Sequence, residues 1–232
     1  MFISKILKNI TMERVIIAID GATGTGKSTT ANLLADKLKY NYIDSGAYYR
    51  VITYLILKNN LNPTDSNKII DVAENIRLEF KDQSILLNGE DISKQIKSLE
   101  VTNKVSSVSK VKGLRKIINE KIRKSSTDKN VVVEGQDIGT TVFPEAQYKF
   151  YLICDIDTRV ARRKQDFLDI GQNITKEKIL KELKKRDEID LSRKESPLKK
   201  SENAMLIDTA NMIVEEQVEL LYKKILGLEN NK

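Results

Sequence analysis

The stretch Gly21-Ala22-Thr23-Gly24-Thr25-Gly26-Lys27-Ser28 decides how the rest of the chain is read. It satisfies the pattern G-x-x-x-x-G-K-[ST], whose glycines let the backbone turn tightly so that successive amides point at phosphate oxygens. Before it, Val15-Ile16-Ile17-Ala18-Ile19 is unbroken and apolar, as a strand buried on both faces is. After it, Ser28–Lys39 carries Leu33, Leu34, Ala35 and Leu38 at helical spacing, and such a helix turns its positive end toward the loop. Strand, loop and helix are the context the motif requires. They predict a nucleoside triphosphate (ATP) site made by Gly21, Ala22, Thr23, Gly24, Thr25, Gly26, Lys27, Ser28 and Thr29. Lys27 is expected on the β- and γ-phosphates, and the Ser28 hydroxyl is expected to help hold Mg²⁺.

Working outward, Val131–Val133 reads as a second strand ending in Glu134-Gly135, and Lys149–Ile153 as a third. A basic helix follows from Asp157, then a short strand at Ala204–Ile207 and a C-terminal helix at Ile213–Ile225. Apolar strands separated by helices predict an α/β fold with a parallel β-sheet flanked by helices. Two stretches interrupt the alternation. Ile76–Phe80 and Ile85–Leu87, joined by Lys81–Ser84, read as a hairpin, with Asn88-Gly89 as a following turn. Residues 162–195 are dense in Lys and Arg, with Gly171 expected at a hinge between two helices.

Composition narrows the chemistry. The 232 residues are 40% hydrophobic and 31% charged, as in a globular protein. The net charge of +7 suits either a nucleic-acid binder or an enzyme handling two polyanionic nucleotides. The chain has no histidine, which removes Ser/His triads, His bases and His metal ligands. A single cysteine, Cys154, excludes an intrachain disulfide, and its apolar surroundings predict a buried core thiol. No apolar run approaches the length of a membrane span. Met1–Thr11 is short, basic and amphipathic, without the apolar core and cleavage site of a signal peptide. It is read as a disordered extension, with Met12 as an alternative start, and the expected compartment is the cytoplasm.

The loop, the cluster Ile43-Asp44-Ser45-Gly46-Ala47-Tyr48-Tyr49-Arg50, the segment Glu134-Gly135-Gln136-Asp137-Ile138-Gly139-Thr140 and the segment Arg186-Asp187-Glu188-Ile189-Asp190-Leu191-Ser192-Arg193 stand in this order along the chain. Together they resemble the bacterial cytidylate (CMP) kinase family, among the P-loop nucleoside monophosphate kinases. The resemblance implies transfer of the γ-phosphate of ATP to CMP or dCMP, with Mg²⁺, in a protein that tends to be monomeric. It implies that Ser45 touches the cytosine and Arg50 its 5′-phosphate, and that Ser106, Arg115 and Asp137 face the base. Arg186, Asp190 and Arg193 match the residues for sugar and phosphates, and Arg162 and Arg163 the start of a lid closing over ATP. With Lys27, the arginines Arg162, Arg163, Arg186 and Arg193 would supply the catalytic positive charge. The domain implied is 12–232, after an extension at 1–11. Its core is 12–61, 116–160 and 196–232, its inserted monophosphate-binding subdomain 62–115, and its short lid 161–195.

Some of this stands without the resemblance. Cytosine presents a donor at N4 and acceptors at N3 and O2, which a carboxylate with Arg or Ser can read. Arg186, Asp190 and Arg193 lie at i, i+4 and i+7, on one face if that segment is helical, although a surface salt-bridge ladder has the same spacing. The sequence also departs from the family's usual pattern, Asp-Gly-Arg-Asp, at residues 134–137. Glu134 keeps a carboxylate able to order Mg²⁺ or its waters, whereas Gln136 replaces an arginine expected on the acceptor phosphate, with about half the hydrogen-bond strength. The competing readings are a kinase of another small acceptor, such as UMP or shikimate, and a nucleotide-dependent nucleic-acid-binding module. The second has little support, because there is no Trp and no basic patch interleaved with aromatics.

Overall fold

The computed structural model describes residues 14–62, 64–81 and 84–228. The extension at 1–11 and the alternative start at Met12 lie outside the described residues. Strand β1 (Ile16–Gly21) is the middle of a five-stranded sheet whose other members are β2 (Asn41–Asp44), β6 (Val131–Gly135), β7 (Tyr148–Ile153) and β8 (Met205–Asp208). The order is β2-β6-β1-β7-β8 and every pairing is parallel. Because β6 and β7 flank β1 on opposite sides, the connections diverge at its carboxyl end, where open α/β sheets bind ligands.

The sheet is covered on both faces, as its apolar strands require. On one side Ile17, Ile19, Val132, Phe150 and Leu152 pack on Ala31 and Leu34 of α1 (Lys27–Leu38) and on Val218 and Leu221 of α8 (Val214–Leu226). On the other, Ile16, Ala18 and Val133 meet Val51 and Ile52 of α2 (Ser45–Lys58) and Ile118 and Ile122 of α5 (Leu114–Ser125).

The second sheet is the expected hairpin plus one short strand: β3 (Leu78–Lys81), β4 (Ser84–Leu87) and β5 (Glu90–Asp91), antiparallel, with Phe80 opposite Ile85. Asn88 and Gly89 both have positive φ, 52° and 85°, as the tight turn between β4 and β5 demands. Flanked by α3 (Ser66–Asn75) and α4 (Leu99–Val108), this segment has no separate core, because Ile69, Ile85, Ile96 and Val108 join the cluster under α2 and α5. The basic stretch forms α6 (Ile156–Asp169) and α7 (Lys176–Ser192), which share a small apolar cluster of Val160, Phe167, Ile179 and Leu183. Gly171, with φ of 77°, stands between them.

Helices α5 and α6 run through the expected breaks at 115/116 and 160/161. Two details correct the sequence reading. Strand β2 and helix α2 were not read from the sequence at all. Cys154 is half-buried just past the end of β7, with its sulfur 3.6 Å from an Arg162 nitrogen, rather than in the core.

Candidate active site

The carboxyl ends of β1, β2 and β6 open onto one continuous cavity of about 970 Å³. At its donor end the loop leaves β1 and enters α1 through left-handed Gly26, and no side chain caps that helix. Thr23, Gly24, Gly26, Lys27, Ser28 and Thr29 form this wall. Gly21, Ala22 and Thr25 shape the loop from beneath, the buried Thr25 hydroxyl donating to the Ala22 carbonyl at 2.9 Å. Lys27 donates to the same carbonyl at 3.2 Å. Burial lowers the Lys27 pKa, outweighing the opposing pull of Glu134.

Register brings carboxylates together across strands. Glu134 pairs with Asp44 in β2 and with Ile19 in β1, and Asp20 stands one residue farther along β1. Ser28 donates to Glu134 at 2.7 Å. The Glu134 carboxyl is pushed up to about 8, first by burial and then by the Asp44 charge. Burial pushes Asp44 up as well, but the Arg50 charge and hydrogen bonds bring it below its ordinary value. So the pair holds one negative charge more readily than two. Asp44 also caps α2, accepting from the Ala47 amide at 3.0 Å, while its other oxygen pairs with Arg50.

At the acceptor end, Arg115 in the first turn of α5 and Asp137 form a buried ion pair at 3.1 Å, and the Arg115 guanidinium lies 5.3 Å from the Tyr49 ring centroid. Ser45, Arg50 and Ser106 line the same cavity. Gln136 joins the last group: its amide nitrogen donates to Asp190, and its oxygen accepts from Arg193 at 2.8 Å. Arg186 and Arg193 lie 3.7 and 3.3 Å from the Asp190 carboxylate. Burial, with the charges of Arg50 and Arg163, lowers the Arg186 pKa against the pull of Asp190. A ring of cations that repel one another is the electrostatics of a pocket for polyanions.

A model of the cytidylate kinase family matches residues 17–226. The chain belongs to the cytidylate kinase family. A cytidylate kinase of Clostridioides difficile is 42% identical over 92% of this chain and 99% of its own length. Those of Fusobacterium nucleatum and Caldanaerobacter subterraneus are 42% and 43% identical over 92% and 91% of this chain, and 98% and 94% of their own lengths. An uncharacterized protein from Eubacterium ventriosum shares the fold, with a TM-score of 0.52, 14% identity, and coverage of 91% of this chain and 98% of its own.

The cavity thus gathers most of the residues singled out from the sequence. Arg162 is the exception in orientation: it donates to the carbonyls of Thr25 at 3.2 Å and Thr209 at 2.6 Å, so it anchors α6 to the loop instead of reaching freely over a ligand. Arg163 points to the insert, 3.4 Å from the Thr102 hydroxyl and stacked on Phe167. The spacing Arg186–Asp190–Arg193 is helical only in part, since α7 ends at Ser192 and Arg193 is extended. Its side chain still returns to Asp190. Missed by the sequence reading were Asp44, for which the aspartate three residues before an amide at a helix start was the available signal, and Asp20, whose oxygens take the Ile138 and Gly139 amides at 2.7 Å.

Among the described residues, no cluster of three or more His, Cys, Asp or Glu side chains could hold a metal alone. Mg²⁺ does not need one: it keeps most of its waters and takes one or two protein oxygens plus substrate phosphates. The Ser28 hydroxyl beside the Glu134 carboxylate fits that requirement. No helix among the described residues is long and apolar enough to cross a membrane.

Proposed function

We propose that the protein transfers the γ-phosphoryl group of ATP to the 5′-phosphate of CMP or dCMP, giving CDP or dCDP. The observation that carries this reading is the single cavity with the phosphate loop at one end and the buried Arg115–Asp137 pair at the other. The acceptor is already an anion, so a strong general base is unnecessary, consistent with a chain that has no histidine. Its residues position and neutralise. The loop amides and Lys27 hold the donor phosphates, while Arg50, Arg186 and Arg193 receive the acceptor phosphate. Asp137 accepts from the cytosine amino group, and Ser45, Ser106 and Arg115 complete the base site. Asp190 orients Arg186 and Arg193 and meets the sugar. Mg²⁺, held by Ser28 and Glu134, would offset charge between the β- and γ-phosphates. Arg162 and Arg163 contribute charge from α6, with Arg162 acting from its anchored position. The protein is read as a cytoplasmic monomer that takes no nucleic acid.

The test is ADP release by the purified protein with ATP and Mg²⁺, comparing CMP, dCMP, UMP, AMP and shikimate. CMP and dCMP should turn over fastest. Failure of both to react, with turnover of another acceptor, overturns the reading.

A further inference from the structure

Arg159 lies in the first turn of α6 and is 6% exposed. Its Nε donates to the carbonyl of Thr23, inside the phosphate loop, at 2.7 Å. Its two terminal nitrogens donate to the two oxygens of Asp187 on α7, each at 2.8 Å. This two-pronged fork fixes both direction and distance, as a lysine could not. The loop is fitted to it: a side chain at Gly24, whose φ is 86°, would meet the Arg159 Cβ at 3.1 Å. Asp187 is the neighbour of Arg186 and stands one turn before Asp190, so one guanidinium spans the donor loop and the helix carrying the acceptor-side arginine.

We propose that Arg159 is a positioning residue that, through Asp187, holds the Arg186–Asp190 face of α7 in register with the phosphate loop. Phosphoryl transfer needs the donor and acceptor phosphates aligned, and a misplacement of about 1 Å can cost on the order of 10²-fold in rate. The two groups that set this alignment lie on separate elements. The Thr23–Arg159–Asp187 path is a direct polar link between them. The inference rests on the phosphoryl-transfer reading for its consequence in rate, but the link itself is testable with nucleotide alone.

Two variants test it, Asp187→Asn and Arg159→Lys, each with three readouts: turnover at saturating substrates, affinity for ADP with Mg²⁺, and hydrogen exchange with and without ADP. In the parent, ADP should slow exchange in both α1 and α7. In both variants α1 should still be protected while α7 is not, and kcat should fall by about thirtyfold or more; in Asp187→Asn, which keeps the Thr23 bond, ADP affinity should stay within about threefold. Unchanged protection of α7 in Asp187→Asn, or an ADP affinity that falls as far as kcat, overturns the proposal, the latter by making Arg159 a support of the donor site alone. Should Arg159→Lys not fold, Asp187→Asn decides, since it leaves the Thr23 bond in place. If the parent turns over neither CMP nor dCMP, the proposed function fails, and the exchange comparison still decides the link.

Discussion

Gln136 bridges Asp190 and Arg193, donating to the first and accepting from the second at 2.8 Å. Gln136 therefore sets where the Arg193 guanidinium points. Hydrogen bonds to charged groups are worth about 1.5–3 kcal/mol each. Gln136→Leu should raise the CMP KM by roughly tenfold or more and leave the ATP KM unchanged, as steady-state kinetics will read. Gln136→Arg adds charge but surrounds Asp190 with three guanidinium groups and removes the acceptor of Arg193. Its CMP KM should fall only if charge outweighs orientation. An unchanged KM in both variants would mean that Gln136 does not govern acceptor binding.

Asp20 gives the fold a dependence on pH. Burial pushes its carboxyl from 3.8 up to about 7, against the amide bonds from Gly139 and Ile138. Between those values the folded protein holds a proton that the unfolded chain has released. The stability from Asp20 is thus full below 3.8 and is lost as pH rises through about 7. Asp20→Asn stays neutral throughout. Its Tm relative to the parent, measured without nucleotide, should rise from about pH 5 to about pH 8. A constant difference would show that Asp20 is ionised in the fold across this range.

Gly135 has no room for a side chain. A Cβ there would collide with the Ser45 hydroxyl and come within 2.7 Å of Ile138. Overpacking of this kind typically costs about 1–3 kcal/mol. Gly135→Ala should lower the unfolding free energy by that amount in urea and, by displacing Ser45, raise the CMP KM more than the ATP KM. An equal rise in both would place the damage in the loop instead.

Much of this site was legible from local pattern, and what was not depends on distance. The Val15–Ile19 run, the phosphate loop and the hairpin announce themselves because each signal lies within a few residues. Strand β2 escaped because only Ile43 and Asp44 of its four residues are buried, and it pairs only with β6, so its pattern is half a strand's. The donors of Arg162 are filled by Thr25 and Thr209 carbonyls 137 and 47 residues away, and Gln136 meets Arg193 across 57. Such partners are set by strand order and helix docking, so nothing local to Arg162 announces that its donors turn onto backbone. The Arg159–Asp187 fork was hidden for the same reason, in a stretch where Arg and Lys are too frequent for any one to stand out.

Base selection should rest on Asp137. Cytosine offers an amino donor where uracil offers a carbonyl acceptor, so an ionised carboxylate favours the first and repels the second. Burial pushes the Asp137 pKa up, and the Arg115 guanidinium at 3.1 Å works against that rise in favour of the carboxylate. Asp137→Asn carries both an acceptor and a donor on its amide and can turn either toward a base. It also leaves Arg115 without its anion. The ratio of kcat/KM for CMP over UMP should fall by at least about fivefold, as loss of a base-reading contact worth about 1–3 kcal/mol requires. Most of the change should lie in poorer use of CMP. A ratio equal to the parent's would mean that Asp137 serves Arg115 alone, and that the base is read elsewhere in the cavity.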